Sequence, residues 1–289
     1  MRRILMTGAS GFLGGHLLRA LLPQDEVFAL GRSRPAAVSR ASVTWIEQDL
    51  SEPVDHRGLP GNVDAIIHLA QSQVYKQFPE RARDIFEVNV SGTLRLLEYA
   101  REAGVRQFVF ASSGGIYRLS NTSIAETDPI QPLSFYLSSK YAAEILIRNY
   151  EQFFQTVILR FFFVYGPGQQ AGMLVPSFMH KIMNNEQITI EGNPGLRINP
   201  THVTDAARTL EAALSLPVSG QFNVSGDEVV TITDLVRLIA SVADRGVVIK
   251  HTSSGPDADL VADNSRMKEV LGVHPSVSLV DGLRQTIER

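Results

Sequence analysis

Thr7-Gly8-Ala9-Ser10-Gly11-Phe12-Leu13-Gly14 decides how this 289-residue chain is read. A short apolar run, Arg3–Thr7, leads into it, and Phe12–Leu22 follows with apolar residues at helical spacing. The glycines have separate tasks. Gly8 permits the tight turn, Gly11 lets backbone approach a pyrophosphate, and Gly14 lets helix and strand pack closely. The helix start then offers N–H groups and a positive dipole end to phosphate. Strand, glycine turn and helix in this order mark a dinucleotide phosphate site. Its candidate residues are Gly8, Ser10, Gly11, Phe12, Leu13 and Gly14.

Outward from this turn, short strand-like runs alternate with helical patterns. Glu26–Leu30, Val43–Glu47, Ala65–Leu69, Phe108–Ala111 and Thr156–Arg160 read as strands. Pro79 to Ala103 and Leu137–Phe154 read as helices. Such alternation predicts an α/β fold, a doubly wound parallel sheet of the Rossmann kind. After Tyr165 the texture changes, with Gly166-Pro167-Gly168 and a glycine- and proline-rich stretch from Gly192 to Pro200. Ile232–Ala243 and Ser276–Glu288 read as later helices. The expected division is a cofactor-binding domain over 1–165, with later crossover segments around 196–224. A smaller C-terminal α/β substrate lobe is expected over 166–289.

The bulk numbers set outer bounds. Hydrophobic residues make up 44% and charged residues 20%, an ordinary globular balance. A formal net charge of -3 gives no basic surface for nucleic acid or anionic lipid. The absence of cysteine removes disulfide and thiolate chemistry. No apolar run reaches the roughly 18 residues that a membrane span needs. The expectation is a cytoplasmic protein without membrane or nucleic-acid partners. Histidines and carboxylates show no metal-ligand spacing, so no metal is expected. His16 reads as a packing or surface residue, His68 at the end of strand four as structural, and His202 as a loop residue, with substrate contact as its alternative.

Strand two ends at Gly31-Arg32-Ser33-Arg34, about where an NAD enzyme places an acid on the adenosine ribose. Arginine there would attract a 2′-phosphate. Gly31, Arg32 and Ser33 therefore favour NADP(H), with NAD(H) left open, and solvated loop charge is the plain alternative. Asp49 and Leu50 are placed to meet the adenine edge, though Asp49 also reads as a surface aspartate. Tyr136 and Lys140 stand at i and i+4, on one face of a helix. A phenol titrates near ~10, and a neighbouring ammonium and an oxidised nicotinamide both favour its phenolate. Lys140 can also anchor the nicotinamide ribose. Ser113, at the end of strand five, can hold a substrate oxygen for proton transfer with Tyr136. Ser112 and Ser113 could equally cap the turn.

With these residues in place, the sequence resembles the extended short-chain dehydrogenase/reductase family, in particular its nucleotide-sugar epimerases, dehydratases and 4-ketoreductases. His68-Leu69-Ala70, Asn89-Val90-Ser91-Gly92-Thr93, Arg160 to Pro167, Val203-Thr204-Asp205 and Phe222-Asn223-Val224 carry the resemblance alongside the glycine turn and the Ser113/Tyr136/Lys140 set. It implies a nucleotide-sugar substrate, a homodimer, and dinucleotide contacts from Leu69, Ala70 and Phe163. Substrate contacts would come from Ser113, Gly114, Phe163 and Arg197. Phe163 departs from the asparagine common among epimerases. Gly114 and Gly115 replace the acidic pair of 4,6-dehydratases, which argues against that chemistry. The spacing from Arg197 to Val203 is one residue longer than usual. The leading expectation is hydride transfer at a sugar carbon, C4 in the first instance, by an epimerase or a 4-ketoreductase. An NADPH-dependent reductase of a small ketone or aldehyde is a second reading, and a non-catalytic NADP-sensing protein a third. Tyr75 and Phe78 lie in a segment that could line a pocket mouth.

Overall fold

In a computed structural model, residues 1–21, 24–32 and 43–288 are described. Ser33, read above as a cofactor contact, lies outside them. The chain divides into two compact units. The first comprises Met1–Ile116, Ile130–Arg160 and Ala207–Phe222; the second comprises Tyr117–Pro129, Phe161–Ala206 and Asn223–Arg289.

The first unit is built on strands β1 (Arg3–Thr7), β2 (Glu26–Gly31), β3 (Val43–Glu47), β4 (Ala65–His68), β5 (Gln107–Ser113) and β6 (Gln155–Phe161). With the strand Gly220–Val224 they form a seven-stranded sheet, whose order from that strand runs β6, β5, β4, β1, β2, β3. β1 pairs in parallel with β2 and β4, β2 with β3, and β4 with β5. The expected α/β sheet is present. Residues of β1, β4 and β5 are buried almost without interruption, as strands covered on both faces must be. Leu5, Phe28, Ile66, Leu96, Phe108 and Ile147 belong to the core they form with the helices. Register fixes where chemistry can emerge. Thr7 stands level with Leu30 on β2 and His68 on β4, and His68 with Phe110 on β5. The carboxyl ends of the central strands therefore finish together.

Two helices differ from their predicted spans. The single helix expected over Pro79 to Ala103 is an α-helix at Ala82–Phe86, a π-helical turn at Glu87–Ser91 and an α-helix at Gly92–Glu102. The helix expected from Leu137 begins at Phe135, because the Ser134 hydroxyl accepts the Leu137 N–H and caps the first turn. It ends at Asn149, so Tyr136 and Lys140 share one continuous helix.

The second unit has shorter pieces. Val164–Tyr165 pairs with Thr201–His202, Arg197–Ile198 with Val230–Thr231, and Ile188–Ile190 with Ile249–His251. The helices Leu174–Met183 and Ile232–Val242 pack with them over Ile182, Ile188, Ile198, Leu235 and Ile239. Among the described residues no helix is long and apolar enough to cross a membrane.

Candidate active site

The glycine turn is shaped by backbone meeting backbone. Gly8 has a left-handed φ of 72°, and a Cβ on it would lie 2.8 Å from the Ala70 nitrogen. A Cβ on Gly14 would stand 2.1 Å from the Gly8 carbonyl oxygen, so strand and helix touch where only hydrogen fits. Gly11 donates to the Gly8 carbonyl at 3.0 Å, and Ser10 and Gly11 face outward. The helix Phe12–Leu21 carries no acid in its first turn, so nothing anionic competes at its positive end. A glycine-lined turn in front of a helix N-terminus fits a dinucleotide pyrophosphate.

Behind the turn runs a buried chain of polar groups. Thr7 Oγ1 meets His68 Nδ1 at 2.7 Å and accepts the Ala70 N–H at 3.2 Å. His68 Nε2 meets Thr93 Oγ1 at 3.0 Å, and Thr93 donates to the Asn89 carbonyl at 2.7 Å. Asn89, inside the π-helical turn, donates to Ser139 at 2.9 Å and accepts the Ser72 N–H at 2.8 Å. Ser139 donates to the Tyr136 carbonyl at 2.7 Å. Complete burial, and then the charge of Lys140, lower the pKa of His68 to about 3. It is a neutral link between two hydroxyls, in keeping with its reading as a structural residue.

Tyr136 and Lys140 have their pKa values displaced in opposite directions. Burial, then the Tyr75 phenol, raises Tyr136 above its ordinary value. The sequence expectation is a phenol lowered by the ammonium and an oxidised nicotinamide; with burial as the largest cause, the phenol is raised instead. Lys140 is 2% exposed, and burial lowers it to about 7 against the opposing pull of Glu144. Its Nζ lies 4.2 Å from the centre of the Phe110 ring. The Tyr136 hydroxyl donates to Gln71 Oε1 at 2.7 Å. Ser112 donates to Glu144 at 2.5 Å, which commits it to the interior. Ser113 remains half-buried at the strand end, where its Oγ accepts the Gly115 N–H at 3.2 Å. The capping role is therefore real for Ser113, and compatible with a second partner.

The other predicted residues scatter. Arg32 is exposed, and Gly31 packs where a Cβ would meet the Trp45 ring at 3.1 Å. Asp49 accepts from the Ser51 N–H at 2.9 Å and the Ser51 hydroxyl at 2.8 Å, closing a local turn. Leu50 is buried, with its carbonyl held by Arg95 at 2.8 Å. Gly114 is buried in the short helical turn after Ser113. In the second unit, Arg197 is ion-paired with Asp259 at 3.5 Å, and its N–H is bound by the same carboxylate. Phe163 holds a left-handed φ of 43°, uncommon for an aromatic residue. Sequence reasoning gave no role to Gln71, Ser139 or Glu144. Glu144 alone had a signal, lying four residues beyond Lys140 on the same helix face. Among the described residues no cluster of metal ligands occurs.

Fold and residues together define a dinucleotide-dependent enzyme family. The chain belongs to the NAD dependent epimerase/dehydratase family, which residues 4–225 match. A dTDP-4-dehydro-6-deoxy-D-allose reductase of Streptomyces bikiniensis is 33% identical over 315 residues, spanning 99% of this chain and 95% of the relative. An uncharacterized UDP-glucose epimerase of Bacillus subtilis (strain 168) is 29% identical over 306 residues, spanning 99% and 96%. Among solved structures, UDP-glucuronic acid 4-epimerase from Bacillus cereus, in complex with UDP-glucuronic acid and NAD, matches with a TM-score of 0.89 at 27% identity, over 99% of this chain and 98% of that one. The resemblance to nucleotide-sugar enzymes is borne out. The NADP(H) preference read from Arg32 gains no support, since the cofactor of that solved relative is NAD.

Proposed function

We propose that the protein is an NAD-dependent enzyme acting at C4 of a nucleotide-linked hexose, with Tyr136 as acid and base. The observation that carries this assignment is the opposed displacement of two groups one turn apart, a phenol raised and an ammonium lowered to about 7. Pairs of titratable groups pushed apart by their surroundings are the mark of acid–base sites. The dinucleotide supplies the hydride chemistry when bound, and its pyrophosphate would lie against Gly8 to Gly14. Tyr136 exchanges a proton with the sugar oxygen, Ser113 holds that oxygen, and Lys140 anchors the nicotinamide ribose. As an acid, the raised phenol is ready at neutral pH. As a base it needs nearby positive charge, which Lys140 and an oxidised cofactor provide. Leu69 and Ala70 border the cradle, and the family resemblance keeps Phe163 and Arg197 as candidates for substrate contact.

A 4-ketoreductase is the second reading, favoured by the 33% identity to the Streptomyces reductase. A homodimer fits the exposed Phe86, Leu94 and Ile145 on the helices of the first unit. The deciding experiment is turnover of UDP- and dTDP-hexoses with NAD by the Tyr136→Phe variant. We expect a loss of about 10²–10⁴-fold with dinucleotide binding retained. Undiminished turnover would overturn the assignment.

A further inference from the structure

We infer that Gln71 is a further catalytic residue of this site, its side-chain amide serving as the switching partner of the Tyr136 hydroxyl. This inference rests on the assignment of Tyr136 as acid and base. Gln71 lies in the loop that follows β4, and its neighbours on both sides are pinned. Ala70 donates to Thr7 Oγ1 at 3.2 Å, Ser72 donates to Asn89 Oδ1 at 2.8 Å, and Val74 donates to Ser72 Oγ at 3.3 Å. The backbone at Gln71 is thereby held level with the active helix, while the residue itself is exposed. Its amide oxygen accepts the Tyr136 proton at 2.7 Å. From the same loop, Tyr75 places its ring 4.8 Å from that of Tyr136, and Phe78 stacks on Phe135 at 5.0 Å. The loop is thus laid along the start of the helix, with one amide aimed at the reacting oxygen.

That hydrogen bond exists in one protonation state only. A phenolate has no proton to give, so Gln71 Oε1 would then face a negative oxygen. Rotation about the terminal carboxamide bond, which is broad and nearly two-fold, exchanges oxygen for nitrogen and turns the amide from acceptor to donor. Gln71 can therefore satisfy the phenol before proton transfer and the phenolate after it, with no movement of backbone. A hydrogen bond to a charged group is worth more than one to a neutral group, so the amide favours the phenolate overall. Tyr75 also acts on Tyr136, and Lys140 stands one turn further along the same helix. Lys76 lies over the Tyr75 ring at 5.7 Å, and Glu144 and His68 couple to Lys140.

The test compares Gln71→Leu, Gln71→Glu and Tyr136→Phe with the unaltered protein, using UDP-glucose and NAD. It follows kcat and KM across pH, NAD affinity, and the NMR signal of the Tyr136 ring carbon that bears oxygen. Leucine can neither accept nor donate, and a carboxylate can accept but not donate. The rising limb of kcat/KM should therefore move to higher pH for leucine, and further for glutamate. At neutral pH kcat should fall about tenfold for leucine, the weight of one hydrogen bond. NAD affinity should stay unchanged, and the Tyr136 carbon signal should shift in both variants. Coincident profiles, with Tyr136→Phe inactive, would overturn this inference alone. Full activity of Tyr136→Phe would remove the acid–base assignment and this inference with it. Should UDP-glucose not turn over, the NMR signal decides, and an unshifted carbon in Gln71→Leu overturns the contact.

Discussion

Two buried cations in the first unit have opposite surroundings. Arg160 on β6 is 1% exposed and is gripped by Glu144, with Nη2 at 2.6 Å and Nε at 3.1 Å. Lys140 is as deeply buried, yet the nearest group described for its ammonium is the face of Phe110. Arg160 has a partner that compensates its desolvation. Lys140 is left to lose part of its charge, with a pKa lowered to about 7. A buried charge kept for structure is paired, and one kept for chemistry is left reactive. Glu144 links the two, since it faces Arg160 directly and pulls on Lys140 from one turn away.

The largest effect expected from this contrast is on Glu144. Replacing it with leucine removes the carboxylate that grips the buried Arg160, and should cost about 3–5 kcal/mol in denaturant unfolding. A cost near zero would mean that the pair adds little, and the contrast would fail. Lys140→Met should do the reverse, with stability kept at pH 8 while turnover is lost. The folded pKa of Lys140, about 7, lies below its unfolded value near 10.5. Between these values the unfolded chain binds more protons, so stability climbs as pH rises through that window. The Lys140→Met variant should lose that slope, and a slope left intact would place it elsewhere. Arg32, exposed to solvent, is the third and mildest case. Its replacement by alanine should alter the ratio of NADPH to NADH affinity by only about two- to fivefold, the scale of a solvated charge.

What could be read from sequence follows how local each requirement is. Gly8 and Gly14 were legible because turn and helix lie side by side in the chain, and their constraint is steric. Tyr136 and Lys140 were legible because one helix carries both. The helix start was placed two residues late because the capping Ser134 offers a hydroxyl and no apolar periodicity. Gln71 reaches Tyr136 across 65 residues, and Asn89 reaches Ser139 across 50, so no window along the chain contains either pair. The effect of burial on Tyr136 is illegible in the sequence for a related reason. Charge proximity can be counted along a helix, whereas desolvation depends on everything that closes over it. In the second unit, paired segments of two or three residues are too short for alternation to declare them.

The link between Thr7, His68 and Thr93 has a sense of direction. The Thr93 hydroxyl gives its hydrogen to the Asn89 carbonyl, so its oxygen can only receive from His68 Nε2. A neutral imidazole has one N–H, and His68 stays neutral down to about pH 3. Nδ1 must then receive from Thr7, whose own oxygen receives from Ala70. Every member hands its hydrogen onward, from the strand end beside the glycine turn to the π-helical turn beneath the tyrosine helix. Position 68 therefore selects for grammar more than for chemistry. It requires a side chain that takes on one edge and gives on the other, and a cation or a purely apolar ring would break the sentence at its middle word.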